Sequence, residues 1–111
     1  MSYNEYLRHI LDESDYLTGK SKGLKKETFL KDETLKRAFV RSIEILGEAV
    51  KKLPEDFRKK HKAIDWRAIA GTRDKLIHDY FGIDYDIVWD IVINEIPELK
   101  RHIKAIVKTK K

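Results

Sequence analysis

The chain contains no cysteine, so neither a disulfide framework nor a thiolate metal centre is open to it. Two prolines and five glycines in 111 residues leave no room for a low-complexity tether, and there is no internal repeat and no Gly-rich phosphate loop. No apolar run approaches the ~20 residues that span a bilayer. The longest candidate, Ile87 to Ile96, is broken by Asp90, Asn94 and Glu95. The first residues, "MSYNEYLRHILDESDYL", are charged throughout, unlike a secretory leader. The expectation is a soluble, cytoplasmic protein with no membrane partner, folded as one domain over residues 1–111: long enough for one core, too short for two.

What is present is charge. The net value of +5 resides in the C-terminal tail 97–111, with six Lys/Arg against one acid; residues 1–96 carry 18 of each sign and sum to zero. Such a tail serves either as a solvated helix end or as a weak, salt-sensitive attractor of phosphates.

Apolar periodicity supplies the fold class. Tyr3, Tyr6, Leu7, Ile10, Leu11 and Leu17 follow helical spacing, with Gly19 as a stop and "TGKSKGLKK" as a flexible basic loop. Asp32 is placed to cap a second helix with the stripe Leu35, Ala38, Phe39, Ser42, Ile43, Leu46, Ala49, Val50 and Leu53. Its outer arc includes an ordered Glu48–Lys52 pair, and Pro54 ends it. "EDFRKKHKA" reads as a basic connection, at most a single turn. Asp65 caps a third helix running from Trp66 to Gly82, and Asp84 caps a fourth, "YDIVWDIVINEI", apolar on nearly all sides. Pro97 either kinks that helix or begins a fifth with Leu99, Ile103, Ile106 and Val107 inward. The expected architecture is all-α, an antiparallel bundle of four to five helices.

One residue contradicts its surroundings. On a wheel of 100° per residue, Trp66, Ile69, Ala70, Leu76, Ile77, Tyr80 and Phe81 share an apolar arc, and Arg73 lies in its middle. An arginine cannot shed its proton, so there it needs a carboxylate, a water-filled cleft or a bound anion, or it must snorkel outward. Tyr80 follows two turns later on the same face; His78 sits about 140° round, in line with Gly71. A glycine on that line permits close approach of another backbone. Arginine and histidine meet only if the arginine reaches sideways, the helix distorts, or a second copy of the chain completes the site. Spacing alone leaves these open.

No other constellation is as specific. The histidines at 9, 61, 78 and 102 are read as lacking the i, i+4 pairing with carboxylates that metal helices show, and Asp84, Asp86 and Asp90 lack the glycine and spacing of a calcium loop. Neither metal nor cofactor is expected. Glu44 and Glu48, one turn apart among basic residues, read as a salt-bridged face rather than an acid/base pair. "RKKHK" at 58–62 has no interleaved aromatic residues, so no base-stacking platform is indicated.

The run "RDKLIHDYFGID", preceded by "WRAIAGT" and followed by "IVWDIV", resembles the HEPN superfamily, in its HepT-like branch. The hallmark is Arg, four residues, His, one residue, Tyr: here Arg73, His78 and Tyr80. "RSIEILGEAVKKLP", with Gly47, Glu48 and Ala49, resembles the family's second helix, and the likeness runs over essentially the whole chain. The resemblance implies a two-fold dimer whose motif copies face one cleft. It implies a metal-independent ribonuclease toxin, neutralised by a minimal nucleotidyltransferase antitoxin that transfers AMP to the tyrosine. Carried over, Arg73 and His78 are the catalytic pair and Tyr80 the AMP acceptor, with Asp74 and Glu48 in support. Asp74 departs from the polar residue, often Asn, common after the arginine. Two other readings are a non-catalytic, nucleotide- or substrate-binding companion of a nucleotidyltransferase, and a structural dimerisation module.

Overall fold

A computed structural model of the chain describes residues 3–72, 76–79 and 82–109, with backbone alone at 77–79 and 109. Two long amphipathic helices form its frame. Helix α1 (Asn4–Ser21) turns Leu7, Ile10, Ser14 and Leu17 inward. Helix α3 (Glu33–Lys52) buries Phe39, Ser42, Ile43, Leu46, Gly47, Ala49 and Val50 against it. The Ser42 hydroxyl crosses to α1 and donates to Glu13 Oε1 at 2.6 Å, so the one hydroxyl in the α3 stripe is satisfied where it is buried.

Between them lies a short helix that the periodicity did not suggest. Helix α2 (Lys26–Lys31) starts at the last residue of the expected loop and fills 27–31, for which the sequence reading named no element. Six residues are too few to hold as a helix unaided; tertiary packing supplies the stability. Phe29 is fully buried, its ring 5.0 Å from Phe39 and 5.4 Å from Trp89. Helix α1 also passes Gly19 and ends two residues later; the left-handed residue is Gly23, with φ of +74°. Asp32 then caps α3 as expected, its carboxylate accepting from Leu35 N at 3.0 Å.

Pro54 opens α4 (Glu55–Lys60), whose Phe57 is buried and stacks obliquely on Tyr3 at 4.9 Å. Helix α5 (Trp66–Ala70) follows, capped by Asp65 through Ala68 N at 3.0 Å. It does not continue to Gly82. Ile77–Asp79 (β1) is extended and pairs antiparallel with Gly82–Ile83 (β2), with a bulge in the register. A helix from Trp66 to a stop at Gly82 would have had to carry an internal glycine, Gly71, and three β-branched residues, Ile69, Thr72 and Ile77, which weaken helices; β-branched Ile77 favours the strand. The ladder is a local hairpin on an all-α bundle.

Asp84 caps α6 (Tyr85–Asp90) through Asp86 N and Ile87 N. The chain stays helical through a wide π-turn, Ile91–Glu95, into α7 (Ile96–Thr109). Pro97 is the second residue of α7. A proline clashes with the carbonyl four residues earlier, and the widened turn just before it makes room. Leu99, Ile103 and Ile106 are buried as expected, whereas Val107 is 36% exposed. Ile93, on the segment expected to be covered all round, is 38% exposed. Helix α7 is tied back to α1 by Lys100 Nζ, 3.0 Å from Asp15 Oδ1 and 3.2 Å from Thr18 Oγ1. No described helix is long and apolar enough to cross a membrane.

Candidate functional site

The segment holding the Arg–His–Tyr motif is anchored at both ends. Upstream, α5 is short but held by several independent contacts. The buried Trp66 indole Nε1 donates to the carbonyls of Arg58 at 3.1 Å and His61 at 3.0 Å, fixing α5 to the end of α4. Gly71 N donates to Arg67 O at 3.0 Å, and the buried Thr72 hydroxyl to Ile69 O at 2.8 Å. Thr72 is the residue before Arg73. Downstream, Leu76 is 1% exposed, and its carbonyl accepts from Asp84 N at 2.8 Å. The residue that caps α6 therefore also closes the motif segment.

Close packing of α5 on α3 depends on Gly47. A Cβ there would sit 3.6 Å from Ile69 O, 3.7 Å from Thr72 Oγ1 and 3.8 Å from Ala70 O, so the α3 backbone lies directly beneath the turn that leads to Arg73. The sequence had suggested Gly71 for a close approach. An added Cβ there meets, among described residues, only α5's own carbonyls, Arg67 O at 3.3 Å and Ala68 O at 3.8 Å. Gly47 has the approach instead.

Arg73, Asp74 and Tyr80 lie outside the described residues, as does the side chain of His78; the His78 backbone sits in β1. Glu48 is exposed on α3 and lies 3.9 Å from Lys51, one residue short of the expected Lys52. Because the backbone is extended at 77–79, the wheel that set His78 140° from Arg73 does not apply: the helix ends within the motif. The reading that no histidine has a carboxylate at i, i+4 is corrected at one position: His102 Nε2 is 3.8 Å from Glu98 Oε1, four residues earlier on α7. Among the described residues no group of three or more His, Asp or Glu is arranged to hold a metal ion.

Two cavities flank the start of α5, back to back across Ala63–Asp65. One, about 380 Å³, is lined by Glu95, Glu98, His102 and the apolar Ile64, Ile69 and Leu99. The other, about 750 Å³ and open, is lined by Arg58, Lys59, Lys62 and Arg67 with Trp66 and Ala70. Two acids, Glu55 and Asp65, share the second with its four cations. Three of these cations, Arg58, Lys59 and Lys62, belong to the basic run 58–62 read in the sequence; what that reading did not show is that Arg67 of α5 joins them in one concave surface.

The described residues form an all-α bundle consistent with HEPN-type helical domains, with the Arg–x4–His–x–Tyr spacing falling between α5 and α6 in the sequence. The chain belongs to the ribonuclease HepT-like family, which matches residues 4–106. A protein of Caldanaerobacter subterraneus subsp. tengcongensis, provisionally named an RNase, is 54% identical over 106 residues, covering 96% of this chain and 95% of its own. A Methanocaldococcus jannaschii protein with the same kind of provisional name is 44% identical, covering 93% and 85%. A protein of Thermococcus cleftensis named probable ribonuclease HepT is 40% identical, covering 89% and 90%. No solved structure matches the chain.

Proposed function

We propose that the protein is a metal-independent endoribonuclease, with Arg73 and His78 as its catalytic pair. The observation that carries this is family membership over nearly the whole chain, with the Arg–x4–His–x–Tyr spacing intact. RNA brings its own nucleophile. Its 2′-oxygen attacks the adjacent phosphorus, the bond to the 5′-oxygen breaks, and the products are a 2′,3′-cyclic phosphate and a free 5′-hydroxyl. The reaction needs one proton removed from the 2′-OH and one delivered to the leaving oxygen. An imidazole, with an ordinary pKa near 6.5, serves either step near neutral pH. A guanidinium binds the phosphate and stabilises charge on its oxygens. In a two-fold dimer, one His78 takes the proton and the other gives one. Asp74 and Glu48 assist by orienting Arg73.

The biological setting of this reading is a cytoplasmic toxin paired with a minimal nucleotidyltransferase antitoxin. The Tyr80 phenolic oxygen attacks the α-phosphorus of ATP, pyrophosphate leaves, and the phenolic proton passes to solvent. The resulting phosphodiester and nucleoside occupy the arginine and block RNA.

The test is RNA cleavage in the presence of a chelator. Arg73→Ala and His78→Ala should each lower the rate by about 10²–10⁴ while folding normally. Undiminished cleavage by either refutes the assignment, and RNA-inert wild type that binds nucleotide returns the companion reading. Tyr80→Phe should still cleave RNA yet gain no mass with the cognate transferase and Mg-ATP; modification of that variant sinks the acceptor role.

A further inference from the structure

We propose that the open groove between α4 and α5 binds the sugar–phosphate backbone of single-stranded RNA and leads it to Arg73, an inference that rests on the ribonuclease reading above. Four cations, Arg58, Lys59, Lys62 and Arg67, line the groove. Two acids also line it: Glu55 lies 3.3 Å from Lys59 and offsets that cation, and an Asp65 oxygen accepts the Ala68 amide as a helix cap, so the groove keeps a positive excess of two. Arg58, Lys62 and Arg67 make no ion pair among the described residues. The Arg58 Nε is buried and finds no hydrogen-bond partner there. Cationic capacity is thus left over, in a concave surface rather than on scattered side chains.

Position gives the groove its direction. Ala70, which lines the groove, precedes Arg73 by three residues, at most about 11 Å of Cα path. Across Ala63–Asp65, the neighbouring cavity presents Glu95 and Glu98, which repel phosphate. The backbone is therefore confined to one lane, with attraction on one side of the turn and repulsion on the other. Trp66 is 6% exposed and its N–H is committed to two carbonyls, so it offers no platform for a base. Recognition in this groove reads charge and not sequence.

The experiment measures binding of a short 2′-O-methyl oligonucleotide, whose blocked nucleophile prevents cleavage, by fluorescence anisotropy over a salt series. The groove variant is Lys59→Gln/Lys62→Gln/Arg67→Gln. A charge-matched variant, Lys20→Gln/Lys104→Gln/Lys108→Gln, alters exposed lysines outside the groove. Losing three phosphate contacts at ~0.7 per contact should flatten the log–log salt slope by about 2 and weaken binding roughly 100-fold at ~0.1 M salt. The matched variant should stay near wild type. With cleavable RNA in single turnover, the groove variant should need more protein for half-saturation yet reach the wild-type maximal rate. Equal losses in both variants, or an unchanged slope in a folded groove variant, overturn the groove. A wild type that binds through the groove but cleaves nothing supports the groove and refutes the ribonuclease reading. Cleavage with a groove variant of unaltered affinity does the reverse.

Discussion

Gly47 offers a direct way to ask whether the packing of α5 on α3 sets the motif. It lies inside a 20-residue helix, where glycine costs about 1 kcal/mol relative to alanine. A methyl group there meets nothing nearer than 3.6 Å, which is ordinary contact. Gly47→Ala should therefore stabilise the protein by up to about 1 kcal/mol, raising Tm by about 4 °C for a chain of this size. Leucine has nearly the helix propensity of alanine, so the two variants differ mainly in what they push against. Its Cγ lies about 1.5 Å beyond Cβ, so rotamers directed at the Ile69 carbonyl or Thr72 hydroxyl bring carbon within roughly 2–2.5 Å of oxygen. Overpacking of that kind costs about 1–3 kcal/mol. Gly47→Leu should thus fall below Gly47→Ala by that amount in thermal denaturation. It should also lose RNA cleavage, because Thr72, the displaced residue, adjoins Arg73. Equal Tm and equal cleavage for the two variants would show that α3 does not position the site.

Three further outcomes follow from the anchoring contacts. Asp84→Ala removes the acceptor of two amides and should cost about 1 kcal/mol in urea denaturation, with Asp84→Asn recovering most of it; equal loss in both would argue against capping. Phe29→Ala should cost about 3–5 kcal/mol, since the ring is fully buried between Phe39 and Trp89, and a loss under 1 kcal/mol would mean α2 is not part of the core. Trp66→Phe deletes a donor shared by two carbonyls that keep other partners, so about 1 kcal/mol is expected; no change in denaturation midpoint would remove this bond from the account of how α5 is held.

The features legible in the sequence were those decided within one turn of chain. Asp32, Asp65 and Asp84 were readable as caps because a short carboxylate satisfies amides two or three residues ahead, whatever surrounds it. The α3 stripe was readable because Phe39, Ile43, Leu46 and Val50 repeat at helical spacing. What failed to show depends on distant residues. Helix α2 exists because Phe29 meets rings from α3 and α6, and the end of α1 is set by Gly23 because Gly19 makes no tight turn. Of the motif, its flanks, the capping Asp84 and the helix-to-strand change at Ile77 are visible in the structure, while the roles of Arg73, Asp74, His78 and Tyr80 rest on the family resemblance. The basic groove was legible only in part: the run at 58–62 supplies three of its four cations, whereas the addition of Arg67 and the placing of Glu95 and Glu98 in the adjoining cavity depend on how α5 and α7 pack.

The break in the third helix bears directly on the motif. Two groups separated by four residues are turned 140° apart on an unbroken helix, which is why the spacing Arg73-to-His78 looked unfit for joint action. An extended strand obeys a different rule, alternating its side chains by about 180° and advancing about 3.3 Å per residue. Once β1 starts at Ile77, the His78 backbone belongs to the hairpin with β2 and no longer to the helix that begins at Trp66. The geometric objection to an arginine–histidine pair within one chain therefore loses its premise. The demand passes to the hairpin, whose register is held by Ile77 opposite Ile83 and by the Asp84 amide on Leu76 O. On this reasoning the residues following the motif matter to it as much as those within it, because they decide where the helix stops.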